Sequence, residues 1–156
     1  MKRSPWMRAV LLLVCAALSL TVWAAQLPYD EGADPRADLQ RALSVAQQQH
    51  KDVLIVFGAN WCEDCRDLDR AMHGSSAALI DARFVVVKVD VGNFNKHLDL
   101  VREYGDPIRR GIPAAVVVSA ADQVLYSTKG GELADARRMG ETAIYDFFSR
   151  VIATAR

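Results

Sequence analysis

The chain has 156 residues, and 51% of them are apolar, which suffices for one sizeable hydrophobic core but not for two domains. Its 19 Lys and Arg residues balance 19 Asp and Glu residues, so the charge gives no sign of a nucleic-acid-binding protein or of a disordered acidic chain. We therefore expect a single folded domain with no nucleic acid among its partners.

The amino terminus has the three-part layout of a secretory signal peptide. Basic residues precede an apolar run at residues 9–22, and small residues follow at Ala24 and Ala25. The run is shorter than the roughly 20 residues that a membrane-spanning helix needs. We therefore predict a signal peptide at residues 1–24, cleaved near Ala24, and a folded part that lies outside the cytoplasm. The alternative is an uncleaved anchor with Trp23 at the membrane interface.

The next segments predict a lead-in, a helix and a strand. Residues 25–33 contain proline and glycine and show no apolar period, so we expect an extended, loosely held lead-in to a domain at residues 34–156. Asp34 and Pro35 favour a helix start, because the carboxylate can cap the first turn and proline lacks an N–H that would have no partner there. The β-branched run at residues 53–57 is typical of a strand buried on both faces at the centre of a sheet.

The rest of the chain continues to alternate between helices and strands. We expect a helix after Cys65, a second buried strand at residues 84–89, a short helix at 98–104 and a hairpin of strands at 114–119 and 124–127. Apolar residues at spacings of three and four predict a last helix that packs on the sheet. This order indicates an α/β layered fold.

Two of the three cysteines lie close together in the chain, and the third lies in the predicted signal peptide. Cys15 lies in the apolar run, and lipid attachment there is disfavoured because Val14 stands where a small residue is expected. Cys62 and Cys65 remain, and the loop between them is too short to stabilise a fold by cross-linking. The pair is therefore reactive or metal-binding.

The position of the pair favours exchange chemistry. Cys62 follows the predicted central strand at the start of a helix, where free backbone N–H groups and the helix dipole stabilise a thiolate, the attacking species. Cys65 lies one turn further on the same face, close enough to attack a mixed disulfide at Cys62. The spacing alone also matches half of a four-ligand zinc site, so the motif by itself leaves both chemistries open.

From Val53 to the carboxyl terminus, the sequence resembles the thioredoxin family. The matching residues, in order, are Ala59, Trp61, Cys62, Cys65, Lys88, Tyr104, Gly105, Gly111, Ile112 and Pro113. The chain looks closest to the exported branch that includes the carboxy-terminal domain of the periplasmic disulfide reductases. The resemblance implies a thioredoxin fold, a mixed central sheet of about four strands flanked by helices, with an N-terminal helix.

The resemblance also implies roles for individual residues. Cys62 would be the nucleophile and Cys65 the resolving thiol, with Trp61 flanking the site. Pro113 would be the cis-proline that faces the dithiol and leaves the Ile112 backbone free to pair with an extended substrate. The implied activity is thiol–disulfide exchange without a cofactor. The implied partners are disulfide-containing exported proteins and a membrane-embedded thiol reductase that supplies electrons.

Two features depart from the family pattern. Val56 stands where thioredoxins have a buried acid that helps to deprotonate the resolving cysteine, although Lys88, which would pair with that acid, is present. Glu63 and Asp64, between the cysteines, are possible proton acceptors, but the helix dipole alone explains acids in a first turn.

The same two acids bear on the redox potential. They oppose a Cys62 thiolate by about 1 kcal/mol, which favours the disulfide and makes the couple more reducing. We therefore expect a potential nearer the roughly −270 mV of thioredoxin than the roughly −120 mV of a strong periplasmic oxidant.

Two other functions compete with exchange. A periplasmic copper or zinc carrier would complete the two thiolates with His50, His73 or His97, but none of these lies at paired-ligand spacing with the dithiol. A binding protein with an idle dithiol would use Arg109 and Arg110 in a recognition loop.

Overall fold

The structure, a computed structural model, describes residues 27–155. The signal peptide, its cleavage site near Ala24 and Cys15 lie outside these residues and stay predictions. Within the described part of the chain, no helix is long and apolar enough to cross a membrane.

Helices and strands alternate as the sequence predicts. In chain order they are α1 (Pro35–Gln49), β1 (Asp52–Gly58), α2 (Glu63–His73), α3 (Ala77–Arg83), β2 (Phe84–Asp90), α4 (Leu98–Glu103), a 3-10 helix (Pro107–Arg110), β3 (Ala114–Val118), β4 (Val124–Ser127) and α5 (Ala136–Thr154). Asp34 caps α1 by accepting hydrogen bonds from the first turn, and Pro35 is its first residue.

The sheet is mixed and has the strand order β2-β1-β3-β4. Strand β1 runs parallel to β2 and antiparallel to β3, and β3 and β4 form the expected hairpin. Every residue of β1 after Asp52 is buried, which confirms a central strand. The predicted α/β fold with a four-stranded mixed sheet is confirmed.

Strand β2 is less buried than its sequence suggests. We expected burial on both faces, but Val85, Val86 and Lys88 are only half-buried. The physical reason is position, because β2 is an edge strand and its outer flank has no neighbour in the sheet.

The two faces of the sheet carry separate clusters of apolar side chains. On one face, Ile55 and Phe57 pack with residues of α1 and α4. On the other, Leu54 and Val56 pack with residues of α2, α3 and α5. The dithiol segment therefore follows directly after a strand that is packed on both faces of the sheet.

Helix α5 changes direction within its second turn. Gly140 has φ +71°, a left-handed conformation that glycine tolerates, and it separates a first turn at residues 136–139 from the longer segment that follows. The predicted apolar stripe is buried against the sheet in that longer segment, from Ile144 to Ile152.

The lead-in is not loosely held, contrary to expectation. Residues 27–33, which we call the N-terminal strap, contain Tyr29, and its side chain is buried in the cluster that also holds Phe57 and Cys65. The amide side chain of Asn60 bonds both the N–H and the carbonyl of Tyr29. The strap is thus part of the packed structure.

Candidate active site

Helix α2 begins at the dithiol. Cys62 is its N-cap residue, as predicted, and forms a disulfide with Cys65, with Cα atoms 5.2 Å apart. The Cys65 N–H donates a hydrogen bond to Cys62 Sγ at 3.1 Å. A thiolate at Cys62 in the reduced protein would accept the same bond, at the positive end of the helix dipole.

The two sulfurs differ in accessibility. Cys62 is 6% exposed and Cys65 is 1% exposed. Both cysteines are buried, and Cys62 is the more exposed of the two and lines a surface groove.

The dithiol faces the segment that precedes β3. The Ile112–Pro113 peptide bond is cis, and the Ile112 carbonyl oxygen lies 3.7 Å from Cys62 Sγ. Ile112 and Pro113 are both buried. The structure therefore brings the backbone of Ile112, 50 positions away in the chain, against the first cysteine.

An exposed aromatic pair flanks Cys62. Trp61 is 54% exposed, and its indole N–H donates to the Gly92 carbonyl at 2.9 Å. Its ring meets the edge of Phe94, with centroids 6.1 Å apart. Phe94 is also exposed and has φ +59°, an unfavourable backbone conformation for an aromatic residue. Sequence reasoning missed Phe94, although a large apolar residue in the polar run Gly92–Asn95 was the available signal.

The acids between the cysteines are engaged by one arginine. The backbone N–H of Arg137 donates to Asp64 at 2.9 Å, its Nε donates to the same carboxylate at 3.3 Å, and its Nη1 donates to Glu63. The hydrogen bond to Glu63, with help from Asp64, raises the pKa of the Arg137 guanidinium. Arg137 lies in the first turn of α5, and no pattern near residue 137 pointed to it.

Lys88 is paired with an acid that the sequence analysis did not consider. Its ammonium group bonds Asp69, which lies one helical turn beyond Cys65 on α2. Val56 is directly opposite Lys88 in the β1–β2 register and is buried among apolar side chains. The carboxylate that pairs with this lysine thus comes from α2 and not from β1.

A shallow groove of about 300 Å³ runs past Cys62. Its lining residues are Trp61, Cys62, Glu63, Asp64, Phe94, Ile112 and Arg137. The groove therefore has an apolar wall of two aromatic rings and an isoleucine, and a charged wall in which one arginine bridges two acids.

Within residues 27–155, no group of three or more His, Cys, Asp and Glu side chains is arranged to hold a metal ion. His73 bonds the Asp69 carbonyl through Nδ1, while His50 and His97 cap the end of α1 and the start of α4. Nothing in this arrangement brings a histidine to the dithiol.

A disulfide-forming pair at a helix N-terminus, packed against a cis-proline at the start of a strand, defines the class of thiol–disulfide oxidoreductases. A family model described as thioredoxin-like matches residues 34–120. The chain belongs to the thioredoxin-like family, and the expected resemblance is confirmed.

Two solved structures are similar to the chain. The chain is 52% identical to a disulphide isomerase from Xylella fastidiosa Temecula1, with a TM-score of 0.80, over 83% of this chain and 99% of that one. It is 25% identical to the oxidised DsbD c-terminal domain of Neisseria meningitidis, with a TM-score of 0.47, over 61% of this chain and 82% of that domain. No curated protein sequence matches the chain.

Proposed function

We propose that the protein is exported to the periplasm and reduces disulfide bonds of exported proteins through Cys62 and Cys65. The observation that carries this proposal is the Cys62–Cys65 pair at the start of α2, with Ile112 and Pro113 against it.

The chemistry proceeds in two exchanges. The Cys62 thiolate, stabilised by the Cys65 N–H and the helix N-terminus, attacks a substrate disulfide and displaces one substrate thiolate. Cys65 then attacks Cys62 Sγ, releases the second substrate thiolate and leaves the enzyme as the disulfide. Two electrons pass to the substrate, and no cofactor takes part.

Substrate binding is assigned to the groove beside Cys62. An extended segment of the substrate would pair with the Ile112 backbone by strand addition and place apolar side chains against Trp61 and Phe94. Pro113 would fix the direction of the Ile112 backbone. We propose that these residues select accessible disulfides in extended segments rather than one particular protein.

The charge beside Cys62 favours the reducing direction of transfer. Glu63 and Asp64 carry two negative charges and Arg137 carries one positive charge, so one net negative charge remains next to the nucleophile. It disfavours the thiolate, favours the disulfide and makes the couple reducing, though less than two unpaired acids would. A reductant in an oxidising compartment has to be recharged, for which we propose a membrane-embedded thiol reductase.

Proton transfer by Lys88, Glu63 and Asp64 stays a prediction. Each of these side chains is already engaged, Lys88 by Asp69 and the two acids by Arg137. We propose that they act by setting charge around the dithiol.

The first test is disulfide turnover with insulin or glutathione disulfide as substrate. The wild-type protein should reduce either one catalytically, whereas Cys62→Ser should be inactive and Cys65→Ser should accumulate a covalent enzyme–substrate disulfide. A wild type as inert as both variants would refute the proposal.

The potential and the export signal are tested separately. Equilibration with glutathione should give a potential nearer about −270 mV than −120 mV, and a value above about −180 mV would refute the reducing direction. Amino-terminal sequencing of the exported protein should begin at Ala25, and an intact terminus would indicate the uncleaved anchor.

Disulfide isomerisation is the second candidate, favoured by the 52% identity to a structure described as a disulphide isomerase. Isomerisation needs an attacking thiolate but no net electron transfer. An isomerase would therefore repair a protein with mispaired disulfides in the Cys65→Ser variant as well, while a reductase would lose net reduction in that variant.

A further inference from the structure

The hydroxyl of Tyr29 lies beside the resolving cysteine. Gly58, the last residue of β1, has no side chain, and a Cβ placed on it would overlap the Tyr29 hydroxyl and lie 3.0 Å from Cys65 Sγ. The phenol and the sulfur therefore flank the same backbone position. Tyr29 occupies the space that a side chain at the end of β1 would fill.

The strap is fixed in this place. The Asn60 side chain accepts a hydrogen bond from the Tyr29 N–H at 3.0 Å and donates one to the Tyr29 carbonyl at 2.8 Å. Asn60 directly precedes Trp61, so the strap is held by the segment that carries the dithiol. Tyr29 itself is 3% exposed, so its ring and hydroxyl lie within the packed structure.

The surroundings keep this hydroxyl protonated. Burial raises the pKa of Tyr29 well above its ordinary value, and the carboxylates of Asp69 and Asp90 raise it further. A protonated phenol is a hydrogen-bond donor. Cys65 is 1% exposed, and a buried thiolate is stabilised by a hydrogen-bond donor beside it.

We propose that, in the reduced protein, the Tyr29 hydroxyl donates a hydrogen bond to the Cys65 sulfur and thereby activates the resolving thiol. This inference rests on the proposed function. The Tyr29 hydroxyl would take the place of the buried carboxylate that thioredoxins have and that Val56 does not provide. Once the disulfide is reduced, Cys65 Sγ is no longer bonded to Cys62 and can turn towards the hydroxyl.

Tyr29 assists the second exchange, in which a bond forms between Cys65 Sγ and Cys62 Sγ. Cys65 loses its proton to water, and its thiolate attacks Cys62 Sγ of the mixed disulfide. The bond between Cys62 Sγ and the substrate sulfur breaks, and the substrate leaves as a thiolate. Tyr29 keeps its own proton throughout and stabilises the negative charge on Cys65 before it attacks.

Ellman's reagent separates the two exchanges, because each releases one coloured thiolate. Attack by Cys62 on 5,5′-dithiobis(2-nitrobenzoate) releases the first equivalent, and attack by Cys65 on the resulting mixed disulfide releases the second. In Tyr29→Phe we expect the first phase at the wild-type rate and the second phase about tenfold slower, as for the loss of a hydrogen bond to a charged group.

The pH profile distinguishes activation from packing. The second phase should rise with pH as Cys65 ionises, and in Tyr29→Phe this rise should move to higher pH, because the thiolate has lost a donor. The other charged groups around this place are Asp69 and Arg66 on α2, Lys88 and Asp90 on β2, Lys96 on the following loop, and Asp30 and Glu31 on the strap. None of them is altered by the substitution.

Two further variants make the test decisive. Tyr126→Phe removes a hydroxyl from the opposite face of the sheet, where the ring packs on Phe147, and should leave both phases unchanged. Asn60→Ala releases the strap and should slow the second phase more than the first.

The outcomes distinguish the inference from the proposed function. A wild type that never releases the second equivalent would contradict the proposed function. A wild type with both phases and a Tyr29→Phe variant with an unchanged second phase, or with both phases slowed equally, would overturn only the role of Tyr29.

Discussion

The two sides of the dithiol differ in the side chains that surround each sulfur. On the open side, Cys62 faces a groove with Trp61, Phe94 and the Arg137 bridge. On the closed side, Cys65 is enclosed by the strap and by the end of β1. Two identical side chains three residues apart thus have different surroundings, and the proposed roles of attacking and resolving thiol depend on that difference.

Substituting Gly58 should have the largest effect on stability, because it disrupts the packing on the closed side directly. The new methyl group of Gly58→Ala would overlap the Tyr29 ring, and the strap would have to move. We expect the free energy of unfolding to fall by about 3 kcal/mol, measured by urea denaturation.

A matched control is Gly130→Ala, at a glycine whose nearest atoms would be in ordinary contact with a methyl group, and it should have little effect. In a Tyr29→Ala background the Gly58→Ala cost should shrink, since the overlap is relieved. Equal costs in both backgrounds would show that the ring is not what excludes the side chain.

Releasing the strap from Asn60 should have a smaller effect. Asn60→Ala removes two partly buried hydrogen bonds to Tyr29, and we expect a loss of about 1 to 2 kcal/mol in the free energy of unfolding. Hydrogen exchange of the Tyr29 amide should accelerate beyond this global loss. Asn93→Ala, at an exposed loop asparagine, is the control, and an Asn60 variant as stable as this control would contradict the clamp.

We expect the smallest effect on the open side, where substituting Arg137 should shift the redox potential. Arg137→Gln leaves Glu63 and Asp64 uncompensated, so the Cys62 thiolate becomes less stable and the couple more reducing. We expect the equilibrium constant with glutathione to change roughly threefold, about 14 mV towards negative potential, and the shift to decrease at high salt.

Arg41→Gln provides the control for this shift, because its ion pair with Asp38 is on α1. The Arg137→Gln effect should also disappear when Glu63→Gln and Asp64→Asn are already present. A shift of the same size in that background would mean that Arg137 does not act through the two acids.

The fold was largely predictable because its signals are local. Asp34 and Pro35 start α1, the apolar run at residues 53–57 forms the central strand, and the stripe from Ile144 to Ile152 packs on the sheet. The burial of β2 was overestimated because an apolar run does not reveal which strand lies at the edge.

The site was predictable only where it is contiguous or matches the family. Trp61, Cys62 and Cys65 lie in one short segment of the chain. The position of Pro113 at the site was expected from the family resemblance. Tyr29 and Arg137 lie more than 30 residues from the cysteines and belong to no motif. Their places depend on how the strap and α5 pack, which local patterns do not encode.

Because of the kink at Gly140, the two parts of α5 have different orientations, one set by the dithiol segment and one set by the sheet. The turn that carries Arg137 is oriented towards the start of α2, while the segment after Gly140 is oriented by the sheet. Arg137 and Arg138 are exposed and can therefore vary without repacking the core, whereas Ala136 and Met139 of the same turn pack in the apolar cluster. For a protein engineer, position 137 is a place where the redox potential can be retuned at little cost to the fold.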